Sequence, residues 1–467
     1  MKNRKAKALL SAILAAGVLA ACASTGTAPT AAESPAAPAQ TDAAQEAADE
    51  ASVQEVEAGS GETVTIWECN WGGSAEYEEA LKKLAQEATD ANIDGKGYKI
   101  EVQMVSWDSF YETFMTAAVA GSAPDIAWQA STAPFEYADM GYTLDLQPIY
   151  YAWVAEGNPI VENTPDTAWN FLNYKGQLVG IPVGGAAGGF IYRKDIFEAA
   201  GVEKLPTTYD EFLDVCQKVK DYGVTPIVLE GGNAGFKRIG EYAMLENGTG
   251  ACTPDFKSAI LSDANRQAYE FVRTMYENEY IPRGLYGFTV SDAERMFLNG
   301  EAAMYECLVP TSIEPDNEKI GVLPIIGGPS VDKGLSSSGA QSYYAYNQGG
   351  HDEATLAVLK WWIENNDILW TEGHNTNVPL DSAKRERVID NELVLDFCEV
   401  YAGPDAWVGT YYPLPRFTPL SNAIETEDIN SGVVEAIFSG EDMEEAMQRV
   451  DAELNDLLEE YAEDIAE

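Results

Sequence analysis

From Glu62 onward, short runs that alternate apolar and polar residues give way repeatedly to stretches with apolar residues at helical spacing. This alternation restricts the chain to few architectures. Thr63–Trp67 and Lys99–Val105 have the period of half-buried strands. Between them, Tyr77 to Ala91 places Leu81, Leu84, Ala85 and Ala88 on one helical face. The order recurs at Gln177–Val183 followed by Lys194–Ala200, and at Thr225–Leu229 followed by Ile239–Leu245. Strands that alternate with helices predict open α/β layers with crossover helices. Near the end, Met443, Met447, Val450, Leu454, Leu458, Tyr461 and Ile465 form one stripe with acidic residues opposite, the pattern of a surface helix. No repeat of fixed period is visible.

Composition excludes several functions. Lys and Arg total 29 against 76 Asp and Glu, a formal charge of −47. Duplex phosphates require a basic face, so a nucleic-acid grip is out, and a charged surface of this sign does not adhere to anionic lipid. A hydrophobic fraction of 46% supplies a large core and excludes global disorder. His351 and His374 are the only histidines, too few for a histidine metal cluster. No cysteine pair has C-x-x-C spacing, and Cys69, Cys216, Cys252, Cys307 and Cys398 are odd in number, which favours buried thiols acting as small apolar residues.

The N-terminus has the layout of an address. Lys2, Arg4, Lys5 and Lys7 precede an apolar stretch from Ala8 to Ala21, too short for a comfortable membrane span. Leu19-Ala20-Ala21-Cys22 resembles the lipobox of bacterial lipoproteins. The resemblance implies a signal peptide over 1–21, cleavage before Cys22 and its acylation; an ordinary signal with an incidental cysteine is the other reading. Ala23 to Gly61 lacks Lys, Arg and aromatic residues and cannot bury enough apolar area to offset its ordering entropy. Residues 22–61 therefore read as a tether with an end-to-end distance on the order of 35 Å.

Several strings then occur in one order: Ile66-Trp67, Ala120–Ile126 (AGSAPDI), Gly141–Leu146 (GYTLDL), Gly176–Pro182 (GQLVGIP), Gly188–Gly201 (GGFIYRKDIFEAAG), Leu205–Phe212 (LPTTYDEF), Phe297–Met304 (FLNGEAAM) and Ser439–Met447 (SGEDMEEAM). In this succession the chain resembles the extracellular solute-binding proteins of the maltose-binding-protein-like family, which deliver sugars to ABC importers. Some strings also read locally. Thr208 with Glu211 three residues on predicts a helix start with a capping box, and Asn299-Gly300 predicts a helix stop. Two departures stand out. Arg193 replaces the usual Asn, and Tyr305-Glu306-Cys307 follows Met304 where the family tends to present Gly and then Trp. An aromatic platform must then come from elsewhere.

The resemblance implies an α/β, two-lobed periplasmic-binding-protein-like fold (type II), with hinged lobes and a central ligand cleft. Lobe 1 would comprise 62–185 and 327–375, and lobe 2 would comprise 186–326 and 376–467. Ligands of open α/β sheets sit at the carboxyl ends of strands, and a sugar is gripped by aromatic stacking and planar hydrogen-bonding groups. Candidate ligand residues at strand ends and in loops are Asn70, Trp71, Trp128, Gln129, Glu230, Phe236 in a Gly-rich loop, Glu306, Asn375, Trp407 and Tyr411. His374 and Asn377 share the polar turn with Asn375, and Tyr412 neighbours Tyr411. Asp125 is expected to be structural and Trp67 to be core.

Competing readings remain open. Glu230 and Glu306 could form the acid/base pair of a glycoside hydrolase. Lys237, Arg238 and Arg416 leave room for an anionic group on a non-sugar ligand. No G-x-S-x-G, P-loop or H-E-x-x-H motif occurs. Asp90, Asn92 and Asp94 with Glu101 at the twelfth position match a calcium loop, but a strand-like exit and Gly97 at the eighth position favour a plain helix-to-strand turn. The expectation is a non-enzymatic, monomeric, lipid-anchored protein on the outer face of the cell membrane. It would need no cofactor, bind a carbohydrate and present it to ABC permease subunits.

Overall fold

The computed structural model describes residues 61–71, 75–106, 109–129, 133–314, 317–403, 407–409 and 412–466. The signal, Cys22 and all of the tether but Gly61 lie outside the described residues. Seven strands carry the main sheet: β1 (Thr63–Cys69), β2 (Lys99–Val105), β3 (Ile126–Gln129), β4 (Ile181–Arg193), β5 (Thr225–Val228), β6 (Ala302–Leu308) and β7 (Ser336–Ala345). Their spatial order is β2-β1-β3-β7-β4-β6-β5; Ile320–Val322 and Val378–Pro379 also pair with β4, and Trp407–Gly409 with β7. Strand β1 is parallel to β2 and β3, and β5 is parallel to β6. The contacts β3–β7, β7–β4 and β4–β6 are antiparallel.

Strand β4 joins the two halves. Ile181 to Ala187 pair with β7, and from Gly188 the same strand pairs with β6. One core, on the β1–β2–β3 side, includes Val64, Ile66, Tyr77, Leu84, Ile126, Trp128, Tyr343 and Trp362. A second includes Phe190, Phe212, Ile227, Phe236, Met304, Val433, Met447 and Leu454. The molecule is thus a two-lobed α/β fold whose lobes share the crossing strand.

Two helices form where the sequence predicts them. Ala75–Asp90 buries Tyr77, Ala80, Leu81, Leu84, Ala85 and Ala88. Met443–Glu460 buries Met443, Met447, Val450 and Leu454, with Tyr461 and Ile465 packed onto the same core. Helix Tyr209–Tyr222 starts at Thr208, whose hydroxyl accepts from the Glu211 amide, but no capping box closes. The Glu211 carboxylate instead accepts from the Thr207 amide and hydroxyl at 2.7 and 2.8 Å, one residue earlier than expected. Helix Val290–Leu298 ends before Gly300 at φ 76°, as its Asn-Gly pair predicts.

Arg193 has a structural role. Its Nη1 donates to the Phe297 and Leu298 carbonyls at 3.1 and 3.0 Å, where the last carbonyls of a helix lack intrahelical partners. Asp125, at the entry to β3, accepts from the Thr65 amide and hydroxyl and ties β3 to β1. All five described cysteines are buried and unbridged.

Candidate functional site

At the carboxyl ends of β1 and β3, four aromatic side chains gather. The Trp128 ring lies 4.9 Å from Tyr343, 5.5 Å from Trp71 and 5.9 Å from Trp370. Register explains part of this. Glu68 stands opposite Trp128, and Trp128 opposite Tyr343, so three adjacent strands send these side chains to one face. The polar turn after Gly373 closes over the cluster. Thr376 donates to the Trp71 carbonyl through its amide and hydroxyl, and Trp370 Nε1 donates to the Asn377 carbonyl. Asn375 Oδ1 accepts from the Asn377 amide at 2.8 Å, and Asn375 Nδ2 donates to the Tyr77 hydroxyl at 3.4 Å.

Three buried polar atoms here lack a hydrogen-bond partner: Trp128 Nε1, Asn377 Nδ2 and Gln341 Oε1. A buried unsatisfied polar group costs about 1–3 kcal/mol. Gly184 lies among them, since a Cβ on it would stand 3.2 Å from Asn377 Cβ and 3.4 Å from Trp128 Cζ2. Gln341 is the direct strand partner of Gly184 and points to the same face.

Four residues along β4, about 13 Å at strand rise, Gly188 presents that same face. There the neighbour is Tyr242, on helix Gly232–Glu246 of the second lobe. One helical turn earlier, Arg238 forms the centre of an ion-pair cluster. Its Nε and Nη2 donate to Glu306 at 2.9 and 3.3 Å, and Nη2 meets Glu230 at 2.9 Å. Glu306 is fully buried and Glu230 is a quarter exposed. Burial opposes the Arg238 charge, but the adjoining Glu306 carboxylate outweighs it and raises the guanidinium pKa. Two polar walls, one aromatic with its rings all but buried and one of a guanidinium between two carboxylates, therefore lie along the same glycine-rich face of the strand that joins the lobes.

The structure brings Trp71, Trp128 and Asn375 together in the first wall, and Glu230 with Glu306 in the second. Asn70 follows β1, half-buried, its amide donating to the Val105 carbonyl. Phe236 departs from its expected loop. It lies in helix Gly232–Glu246, fully buried and edge-on to Tyr286 and Phe438. Three of the first four residues after Gly231 are Gly or Ala, and this helix start reads as a loop in sequence. Tyr411 and the side chains of Gln129 and Trp407 lie outside the described residues. Trp67, expected in the core, is partly buried and edge-on to Phe114.

The calcium-like segment forms a turn with Asn92 and Asp94 at positive φ. Asp90 accepts from Gln86 and Glu101 pairs with Lys99. Among the described residues, no three His, Cys, Asp or Glu side chains gather as a metal site.

Sequence reading missed Trp370, Tyr343, Gln341 and Tyr242. Trp370 carries a faint signal, a tryptophan just before Thr-Glu-Gly-His-Asn. Gln341 and Tyr242 have none, since their place depends on which residues face them across β4.

Residues 72–366 match the family described as bacterial extracellular solute-binding protein. A protein of Brucella abortus (strain 2308) named as a binding protein is 23% identical over 386 residues, covering 78% of this chain and 87% of that one. Among solved structures, a sugar transporter from Arthrobacter chlorophenolicus A6 with bound laminaribiose superposes with TM-score 0.69 at 19% identity, over 84% of this chain and 99% of the other. The sugar-binding protein MalE of Xanthomonas citri gives 0.67 at 19%, over 86% and 98%. A cyclic alpha-maltosyl-1,6-maltose binding protein from Arthrobacter globiformis gives 0.66 at 18%, over 85% and 98%. These likenesses agree with the two-lobed architecture, and the family match over residues 72–366, more than half of the chain, identifies the protein as a member of the bacterial extracellular solute-binding proteins.

Proposed function

We propose that the protein binds a carbohydrate, specifically an oligosaccharide, between its two lobes and delivers it to an ABC transporter permease. The observation that carries this reading is the pairing of an indole cluster, bearing free donors at Trp128 Nε1 and Asn377 Nδ2, with an ion-paired wall across the same strand face. Fixed donors and acceptors suit the hydroxyls of a sugar. Solved relatives of the same fold carry laminaribiose or bind a cyclic maltosyl-maltose.

The mechanism is lobe closure. A ligand that touches the Trp71–Trp128 wall and the Glu230–Arg238 wall together makes its full set of contacts only when the lobes approach. Binding then shifts the open–closed equilibrium by that difference in affinity. The protein acts as a monomer without a cofactor, held on the outer face of the membrane by lipidated Cys22. Among the described residues, no helix is long and apolar enough to cross a membrane.

The hydrolase alternative gains no support from the geometry. Glu230 and Glu306 share one guanidinium, whereas a glycosidase sets its two carboxyl groups on opposite sides of a glycosidic bond. A thermal-shift screen of the full chain against a carbohydrate panel tests the binding reading, because a ligand of the native state raises Tm. Prolonged incubation of each hit should return it intact. Released fragments would make the protein an enzyme.

A further inference from the structure

Glu68 is a carboxyl buried in the first lobe, on the strand beside Trp128 and on the same face. Its Oε2 accepts from the Tyr77 hydroxyl at 2.7 Å, and its Oε1 accepts from the Tyr343 hydroxyl at 2.5 Å and from Trp362 Nε1 at 3.2 Å. Those partners come from three separate elements: helix Ala75–Asp90, β7 and helix Asp352–Asn365. Each partner has a second task. Tyr77 accepts from Asn375, whose Oδ1 holds the Asn377 amide. Tyr343 packs against the Trp128 ring and accepts from Trp362 Nε1 at 3.0 Å. Glu68 therefore connects to both the ring floor and the polar turn of the first wall.

Burial pushes the Glu68 carboxyl up to about 7, against the pull of its three donors. The titratable groups that bear on it are Tyr77, Tyr343 and Cys69, all raised first by burial and further by Glu68 itself. Near neutrality they remain neutral donors and Glu68 is the group that changes. Ionised, it accepts every hydrogen bond offered. Protonated, it must donate one, so the tyrosine hydroxyl that receives this proton has to turn its own proton away and lose its donated bond to Glu68.

We propose that Glu68 is a positioning residue for ligand capture: its carboxylate fixes Tyr77 and Tyr343, and through them Asn375, Asn377 and Trp128, in the arrangement that receives the ligand. Capture is then coupled to loss of the Glu68 proton to solvent, and the protein holds its ligand more tightly above neutrality than below it. This rests on the reading of the Trp71–Trp128 wall as a ligand-contacting surface.

Two measurements on the full chain test it. Without ligand, tryptophan fluorescence across neutral pH should show a one-proton transition in the wild type that is absent in Glu68→Gln. Carboxyl 13C spectra of glutamate-labelled wild type should contain one resonance that titrates near neutrality, a readout that survives if the variant fails to fold. With laminaribiose and maltose as probes, the competent fraction sets apparent affinity, so binding at about pH 6 should be about tenfold weaker than at about pH 8. Glu68→Gln should bind equally at both. Equal affinities in the wild type, or carboxyl resonances confined to the ordinary range, would overturn the coupling. A fluorescence transition that depends on Glu68, with neither disaccharide bound, would support the hold of Glu68 on the cluster and exclude these two disaccharides as the ligand.

Discussion

The Tyr242 hydroxyl sits 1.3 Å from where a Cβ on Gly188 would be, so these two residues fix how closely helix Gly232–Glu246 approaches the crossing strand. On the other side of β4, a Cβ on Gly189 would fall 2.4 Å from the Tyr401 ring, whose hydroxyl accepts from the Phe190 amide at 3.1 Å. Consecutive glycines thus let tyrosines press onto both faces of the strand that links the lobes.

Gly188→Ala should force Tyr242 out of place and destabilise the fold by about 1–3 kcal/mol, the usual cost of overpacking. In a Tyr242→Ala background the same change should cost less, because the clashing ring is gone. Urea midpoints of the two single variants and the double variant measure this. Additive losses would mean that the two residues do not compete for space.

Arg238→Met leaves the fully buried Glu306 carboxylate without its guanidinium, and removing one partner of a buried pair costs about 3–5 kcal/mol. Adding Glu306→Leu should recover a large part of that loss. Chemical denaturation of both variants reads it out. A single Arg238→Met variant as stable as wild type would contradict the buried ion pair.

Glu68 also predicts the sign of a stability profile. Its carboxyl lies at about 7 in the fold, raised from 4.5, so the folded state holds a proton that the unfolded chain has released. Stability from Glu68 is therefore fully present below about pH 4.5 and is lost as pH rises through about 7, on the order of 3 kcal/mol in all. The stability of wild type relative to Glu68→Gln should fall over that window. A flat difference between the two urea-unfolding profiles would remove the group from the pH dependence.

Trp128→Phe keeps a ring in the cluster but deletes the Nε1 donor, and Asn377→Ala deletes Nδ2. Each should weaken carbohydrate affinity by about tenfold or less, the worth of one hydrogen bond near 1 kcal/mol. Phe236→Leu, in the second core, should leave affinity unchanged. Calorimetric titration with the sugar found by the thermal-shift screen decides this, and wild-type affinity in both donor variants would exclude these atoms from the site.

The element pattern was legible because period-two and helical spacing reflect local geometry. Thr63–Trp67, Lys99–Val105 and the helix through Leu81, Leu84 and Ala88 all appear where that spacing puts them. Phe236 shows the limit. A Gly-Gly-Asn-Ala-Gly start has weak helix propensity, and the segment is helical because Phe236 buries against Tyr286 and Phe438, residues distant in sequence. The Glu211 bond to Thr207 rather than Thr208 is a smaller case, where the backbone spacing was right and the carboxylate found a nearer amide and hydroxyl.

By itself the sequence determined the α/β alternation, the acidic exterior and, through a succession of short strings, the family. Tertiary structure alone decided that Trp128, Gln341 and Asn377 meet around Gly184, that Tyr242 answers them at Gly188, and that Glu68 joins Tyr77 to Tyr343. Periodicity records which way a side chain faces within its own element. Which side chains share a face across β1, β3, β7 and β4 depends on strand register and on a bulge between Gln341 and Ser342, and residues far apart in the chain set both.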